Sequence, residues 1–213
     1  MTTQLVIMAK APLAGQVKTR LIPALGAPGA AQLAQHMLAR TVAAALAARG
    51  DHIHGVTICA SPDPQDPAWS SLGLPSDLNW SAQGDGDLGQ RMSRAVQSAL
   101  SKKERVLLVG TDLPQLTSEL LQSAAKALLT HEACLLPTAD GGYGLLGLRA
   151  WQAVFDDMPW STPKVCALTL QRLSHTSVWV GPTLHDIDEP ADLVHWPDQA
   201  LITALQTGAQ HVA

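Results

Sequence analysis

Apolar residues occur in short continuous runs along this chain, and alanine- and leucine-rich or amphipathic stretches separate these runs. A short apolar run that ends in turn-forming residues is typical of a strand buried on both faces of a sheet. The pattern predicts such strands at Leu5–Ala9, Ile53–Ala60, Arg105–Gly110, Ala133–Pro137 and Tyr143–Leu148.

The stretches between the predicted strands indicate helices. Alanine and leucine lead the helix-propensity scale, so a helix is predicted over Gly29–Arg49 and is expected to end at Gly50. Further helices are predicted at about Gln90–Lys103 and Thr117–His131. After residue 150 the pattern predicts two helices, a short strand near Val178 and a closing helical region.

Strands that alternate with helices through short loops predict an α/β fold, with a mainly parallel sheet flanked by helices. The sequence contains no internal repeat, low-complexity tract or linker that would mark a boundary. We therefore expect a single domain over residues 1–213.

The composition narrows the class of protein. Hydrophobic residues make up 46% and charged residues 15% of the chain, which argues against disorder. The net charge of −4 gives no basic footprint for nucleic acid. The apolar run Leu5–Ala9 is too short for a signal peptide or a membrane span, and Cys59, Cys134 and Cys166 form no C-x-x-C pair. These features predict a cytoplasmic protein.

The loop after the first predicted strand contains the residues best suited to phosphate. It has a glycine for close backbone approach and three cations, and arginine can bind phosphate oxygens through two hydrogen bonds. A solvated loop with ordinary helix-terminal charges would have the same composition. The candidate residues are Ala9, Lys10, Gly15, Lys18 and Arg20.

Carboxylates follow two other apolar segments. Asp112 comes directly after Arg105–Gly110, and Mg²⁺ favours one or two carboxylates together with phosphate oxygens. Asp186 and Asp188 would face the same side of an extended segment, where a cation would relieve their repulsion. Turn capping by Asp112 and a helix start after Asp188 are the alternative interpretations.

Two glycine-containing loops offer further polar groups. The loop over residues 83–91 combines donors, acceptors and flexible backbone that could contact a base, and the loop over residues 140–143 suits close approach of a ligand or a simple turn. The candidate binding residues in these loops are Gln83, Gly84, Asp87, Gly89, Arg91, Asp140, Gly141, Gly142 and Tyr143.

Taken together, six segments resemble a bacterial family known as domain of unknown function 2064, or radical-SAM and selenodomain-associated transferase 1. The matches run in family order: AKAPLAGQVKTRL (9–21), QGDGDLGQRM (83–92), GTDLPQLT (110–117), PTADGGYGLLGL (137–148), PWST (159–162) and DIDEPADL (186–193). The resemblance implies the Rossmann-like glycosyltransferase A fold of nucleotide-diphospho-sugar transferases.

The resemblance also implies roles for individual residues. Lys18 and Arg20 would contact phosphates, and Asp112 would bind Mg²⁺ or Mn²⁺ together with Asp188, helped by Asp186. Residues 140–143 would line the acceptor or sugar side. Many glycosyltransferases of this fold carry Asp-x-Asp at the metal strand, whereas Gly110-Thr-Asp112 offers one carboxylate. That departure favours nucleotidyl transfer, while the family label favours sugar transfer.

The resulting prediction is a metal-dependent transferase that uses a nucleotide-sugar donor and a small-molecule acceptor. Nucleotidyl transfer from a nucleoside triphosphate to a phosphorylated acceptor, with release of pyrophosphate, is the alternative reaction. A nucleotide-binding module without catalysis is the alternative class. The sequence predicts no nucleic-acid partner and no membrane span, and it makes no prediction about oligomeric state.

Overall fold

The computed structural model describes residues 2–102 and 105–210, in which seven strands form one sheet. Each of the five predicted strands is present. The short strand predicted near Val178 is also present, and one further short strand that was not predicted completes the set. The strands are β1 (Thr3–Lys10), β2 (Ile53–Ser61), β3 (Asn79–Ala82), β4 (Arg105–Val109), β5 (Ala133–Pro137), β6 (Tyr143–Leu148) and β7 (Val178–Val180).

The helices cover the two sides of this sheet. The first helix begins earlier than predicted because a non-helical glycine, Gly26, with φ 69° and ψ 164°, joins two helical pieces. Short 3-10 helices lie at Thr19–Leu21 and Pro190–His195. The α-helices are α1 (Ile22–Ala47), α2 (Pro67–Ser70), α3 (Leu88–Leu100), α4 (Ser118–Ala127), α5 (Val165–Arg172) and α6 (Gln199–Gln210).

The sheet has the order β3-β2-β1-β4-β6-β5-β7. β6 pairs antiparallel with both β4 and β5, whereas all the other neighbouring strands pair parallel. The predicted mainly parallel sheet is therefore confirmed. β1, β2, β3, β4, β5 and β7 all run in the same direction, so the loops that follow them meet at one edge of the sheet.

The prediction was wrong in part after residue 150. Of the two predicted helices only α5 forms, and the segment before it consists of turns. Pro159 and Pro163 interrupt this segment, and proline in a helix interior removes a hydrogen bond. Arg172 instead donates to the carbonyl of Val154 at 3.2 Å and to that of Asp156. The predicted helix end at Lys103 lies outside the described residues.

The sheet is buried on both faces, as the continuous apolar runs predict. One apolar cluster packs α1 and α4 against the sheet, and a second packs α3 against the opposite face. A third cluster joins the start of α1 to α6 and to the segment around Ile187. Among the described residues, no helix is both long enough and apolar enough to cross a bilayer.

Candidate active site

A cleft of about 620 Å³ opens at the edge of the sheet where the loops after the parallel strands meet. Open α/β sheets bind ligands at this edge, and the volume lies in the usual range of small-molecule sites. Most of the predicted charged residues line it. These are Lys10, Lys18, Arg20, Arg91, Asp112, Asp140, Asp186 and Asp188.

Lys18 lies at the centre of the charged part of the cleft. Its ammonium is 2.8 Å from Oδ1 of Asp112 and 2.8 Å from Oδ1 of Asp188. It also donates to the carbonyl oxygen of Ile187 at 2.6 Å. The side chain of Lys18 is 8% exposed, whereas those of Asp112 and Asp188 are 44% and 45% exposed. The two carboxylates therefore form an acidic pair with one shared cation.

The backbone and the charge state of Lys18 are both unusual. Its φ of 46° and ψ of 42° lie in the left-handed region, which costs a residue with a Cβ about 1–2 kcal/mol. Burial alone would lower the pKa of Lys18, but Asp112 and Asp188 outweigh burial and raise it above its usual value. The ammonium form is therefore the one that the site favours.

A backbone hydrogen bond brings the two acidic segments together. The amide of Ile187 donates to the carbonyl oxygen of Asp112 at 3.0 Å, and the Ile187 side chain is fully buried in the third apolar cluster. Asp188 therefore reaches the end of β4 although it is far from Asp112 in sequence.

The acidic pair fits a divalent cation by its chemistry. Mg²⁺ is commonly bound by one or two carboxylates, with waters and substrate phosphates as the other ligands, and the half-exposed side chains leave room for these. The described residues contain no group of three or more histidine, cysteine or acidic side chains placed to hold a metal. Asp112 and Asp188, which share the Lys18 ammonium, are the two carboxylates that could bind such an ion together.

Asp186 and Asp140 also line the cleft, and their charges act on each other. Burial raises the pKa of Asp186 to about 6, and the charges of Asp140, Asp188 and Asp192 add to this effect. Asp140 is fixed by hydrogen bonds to its Oδ1 from the Thr138 hydroxyl at 2.6 Å and the Gly142 amide at 2.8 Å. Asp186 is therefore in the cleft but is not among the residues that contact the Lys18 ammonium.

The other predicted cations border the same cleft. The Arg20 guanidinium is 3.7 Å from Glu189, and both side chains are more than half exposed. Lys10 donates to the carbonyl of Gln16 at 2.8 Å, and Arg91 donates to the carbonyl of Gly86 at 2.8 Å. None of these contacts is a buried ion pair, so these cations can turn towards an anionic ligand.

Gln83 lines the cleft with limited freedom. Its side-chain amide nitrogen donates to the carbonyls of Ala9 and Cys59, at 3.0 Å each. Both amide hydrogens are thus used by the ends of β1 and β2, and only the side-chain oxygen is left to accept from a ligand. Gly142 and Tyr143 also line the cleft. Burial raises the pKa of the Tyr143 hydroxyl, so the phenol is neutral near pH 7.

Six predicted binding residues do not line the cleft. Ala9 is fully buried, Gly15 occupies an exposed turn and Asp87 caps the start of α3. A Cβ on Gly89 would lie 2.6 Å from the carbonyl oxygen of Phe155, and one on Gly141 would lie 2.3 Å from that of Pro163. The sixth is Gly84, which has a φ of 71° in the loop before α3. A binding role for these residues stays a prediction.

Apolar side chains that the sequence interpretation did not assign form one wall of the cleft. Trp160 belongs to the PWST segment, and it packs beside Gly89 at the start of α3. Trp160 could have been recognised as a cleft residue from the sequence because it belongs to PWST, one of the six segments that resemble the family. The other apolar lining residues include Met8, Leu88, Met92, Leu108 and Val165.

The family model of an uncharacterised protein conserved in bacteria, DUF2064, matches residues 38–162, more than half of the chain. The chain belongs to this family. This match confirms the DUF2064 family membership that the six sequence segments predicted. No curated protein is significantly similar to the chain in sequence.

A protein from Desulfovibrio desulfuricans G20, described as a candidate nucleotide-diphospho-sugar transferase, is similar in structure. It has a TM-score of 0.84 and 29% sequence identity over 98% of this DUF2064 chain and 99% of that chain. The predicted fold of nucleotide-diphospho-sugar transferases is confirmed by this likeness.

Two more distant structures share the fold. A CMP:2-keto-3-deoxy-manno-octonic acid synthetase with bound CTP has a TM-score of 0.54 and 14% identity, over 96% of this chain and 99% of that chain. Glucosyl-3-phosphoglycerate synthase from Mycobacterium tuberculosis, with Mn²⁺, UDP and glucosyl-3-phosphoglycerate, has a TM-score of 0.55 and 9% identity, over 96% of this chain and 77% of that chain.

Proposed function

We propose that this protein is a divalent-metal-dependent transferase that takes a nucleotide-sugar as donor and passes the sugar to a small-molecule acceptor. The observation that carries the proposal is the contact of Lys18 with both Asp112 and Asp188 inside the cleft. Structures of the same fold that hold CTP, or Mn²⁺ with UDP, support a nucleotide ligand.

The residues of the cleft suit a diphosphate. Arg20 and Lys10 are exposed at its border and can donate to phosphate oxygens, while Lys18 supplies positive charge from a buried position. Asp112 and Asp188 would hold Mg²⁺ or Mn²⁺, and the bound ion would offset the negative charge that develops on the leaving phosphate. Preorganised charges of this kind commonly make the largest contribution to catalysis.

The two sides of the cleft suggest where the substrates lie. Gln83 and Arg91 lie near the ends of β1 and β3, and we assign the nucleoside to that side. Asp140 and Tyr143 lie beyond β4, and we assign the acceptor to the side of the cleft that these two residues line.

In sugar transfer an acceptor oxygen forms a bond to the anomeric carbon, and the bond from that carbon to the phosphate oxygen breaks. A nucleoside diphosphate leaves with the electron pair, and the acceptor proton passes to a carboxylate or to water.

Nucleotidyl transfer is the second candidate reaction. It is favoured by the single carboxylate of Gly110-Thr-Asp112 at the end of β4. A phosphate oxygen of the acceptor would attack the α-phosphorus of a nucleoside triphosphate, and pyrophosphate would leave. The same charged residues would serve both reactions.

A product assay distinguishes these reactions. The protein is incubated with Mn²⁺ or Mg²⁺ and either nucleotide-sugars or triphosphates plus sugar phosphates, and products are identified by mass spectrometry. Release of nucleoside diphosphate indicates sugar transfer, and release of pyrophosphate indicates nucleotidyl transfer. Thermal stabilisation by nucleotides without any product would favour a binding module that has lost catalysis.

The variant Asp112→Asn tests the role of the acidic pair. We expect its turnover to fall by about 10²-fold or more, by analogy with the loss of a single electrostatic contact to a transition state. Asp156→Asn is the matched control, because Asp156 is exposed and lies outside the cleft lining. Equal turnover in Asp112→Asn and the wild type would remove Asp112 from the mechanism.

The organisation of the chain and its location are also proposals. We propose that residues 1–213 act as one domain, since all seven strands of the described residues share one sheet. The cysteines Cys59, Cys134 and Cys166 are free, which agrees with the expected reducing environment of the cytoplasm.

A further inference from the structure

The Lys18 ammonium has no hydrogen-bond donor to spare. An ammonium group carries three donors, and Lys18 has three acceptors: Asp112 Oδ1 and Asp188 Oδ1 at 2.8 Å, and the Ile187 carbonyl at 2.6 Å. A phosphate could bind this group only if one of these contacts broke. The direct phosphate contact that the family resemblance implies for Lys18 therefore requires a rearrangement of these contacts.

We propose that Lys18 is the resident counter-ion of the acidic pair, and that a divalent cation binds Asp112 and Asp188 in exchange for the Lys18 ammonium. This inference rests on the proposed metal-dependent function. It adds that the lysine and the cation compete for the same two carboxylates, and that the exchange frees Lys18 for an anionic ligand.

The distances support competition. The ammonium lies 2.8 Å from both Oδ1 atoms, and an Mg²⁺ ion bound to the same oxygens at about 2.1 Å would lie within about 5 Å of the ammonium. Two cations at that separation repel each other strongly where water is partly excluded. The half-exposed carboxylates allow the ion to approach from solvent, while the lysine lies on the buried side.

The backbone around Lys18 also supports an exchange. Lys18 has left-handed φ and ψ angles, a conformation that residues with a Cβ rarely adopt and that persists where surrounding contacts impose it. The contacts that hold the Lys18 side chain are those to Asp112, Asp188 and Ile187, and we infer that they contribute to that constraint. When the carboxylates take another cation, part of the constraint is lost, and the exposed loop before Lys18 can change its position.

Titration of Mn²⁺ without nucleotide tests the exchange. The free ion is measured by electron paramagnetic resonance for the wild type and for Lys18→Met, which keeps an unbranched side chain and removes the charge. We expect Lys18→Met to bind Mn²⁺ at least about tenfold more tightly, the effect of losing one close competing charge. Lys10→Met is the matched control, because it removes a cation from the same cleft without a contact to either carboxylate. Asp112→Asn should abolish binding.

A second measurement needs no variant. Acetylation of lysines in the wild type is followed by peptide mass spectrometry with and without Mn²⁺. Lys18 is 8% exposed in its ion pairs, so we expect its acetylation to be slow and to accelerate when Mn²⁺ is added, with exposed Lys10 as internal reference. An unchanged acetylation rate at saturating Mn²⁺, no Mn²⁺ binding by either protein, or equal Mn²⁺ affinity for the wild type and Lys18→Met would each overturn the exchange. None of these results depends on turnover, so they are separate from a failure of the proposed reaction.

Discussion

The amide of Ile187 donates a hydrogen bond to the carbonyl oxygen of Asp112 at 3.0 Å, and this contact joins the segment after β7 to the end of β4. The Ile187 side chain is fully buried beside Leu21 and Leu25 in the third apolar cluster. Asp188 is therefore placed by the packing of its neighbour as well as by its own contact with Lys18. The acidic pair depends on this buried anchor.

Ile187→Ala should destabilise the protein by about 2–5 kcal/mol, since a large apolar side chain is removed from a packed core. Chemical unfolding followed by circular dichroism measures the change. Val194→Ala is the control, because Val194 is 70% exposed in the neighbouring 3-10 helix, and its effect should stay within about 0.5 kcal/mol. Similar losses for the two variants would show that Ile187 is no anchor.

The family resemblance implied that Asp112 and Asp188 act together, and the strand pattern itself accounts only for the place of Asp112. Asp112 follows a strand that reads as buried, and parallel strands deliver such residues to one edge of the sheet. The contact of Lys18 with both carboxylates could not be predicted in this way. It depends on left-handed backbone angles at a lysine, which the sequence pattern gives no reason to expect.

The fold could be predicted more fully than the cleft wall. Continuous apolar runs gave the central strands, but the antiparallel direction of β6 depends on the short connection at Asp140–Gly142, which was compatible with both a ligand loop and a hairpin-like turn. Trp160 reaches the cleft from a segment of turns, where no periodicity fixes the direction of a side chain. Such placements are decided by tertiary packing.

Gly141→Ala and Gly15→Ala together test how closely the backbone packs in two loops beside the cleft. Both glycines have positive φ, of 89° and 77°, so a Cβ is strained at either position. An added Cβ at Gly15 meets nothing within 4 Å, whereas at Gly141 it would lie 2.3 Å from the carbonyl oxygen of Pro163. We expect Gly15→Ala to cost roughly 1–2 kcal/mol and Gly141→Ala to cost more. Thermal unfolding checks the order, and the reverse order would contradict the close packing.

Arg20→Ala should weaken binding of the nucleotide substrate without lowering the stability of the protein. The ion pair between Arg20 and Glu189 spans 3.7 Å between exposed side chains, and such pairs contribute only about 0–1 kcal/mol. We expect little change in thermal stability and a clear rise in the KM for the nucleotide substrate, because a phosphate ligand is lost. Glu189→Gln removes the same ion pair and should leave the KM nearly unchanged. Equal KM values for the two variants would exclude a phosphate role for Arg20.

Asp186 should make the stability of the metal-free protein depend on pH. Its pKa is raised from the ordinary value of 3.8 to about 6, so the native state holds its proton more tightly than the unfolded chain. The folded protein therefore loses stability as pH rises from about 4 to about 6, because ionisation of Asp186 costs more in the native state than in the unfolded chain. The full loss of stability persists above that range. The penalty is reduced by solvent, because Asp186 is only half-buried.

Asp186→Asn removes this penalty and should therefore raise the Tm near neutral pH. The gain should shrink as pH falls from about 6 to below about 4, because the wild-type carboxyl then becomes protonated in both states. Thermal unfolding in the presence of a chelator measures the difference across this range. Asp140 is the first charge that acts on Asp186 after burial, so Asp140→Asn combined with Asp186→Asn should give less than the sum of the separate gains. A gain that does not vary with pH would assign the effect to packing, and additive gains would show that the two carboxylates do not interact.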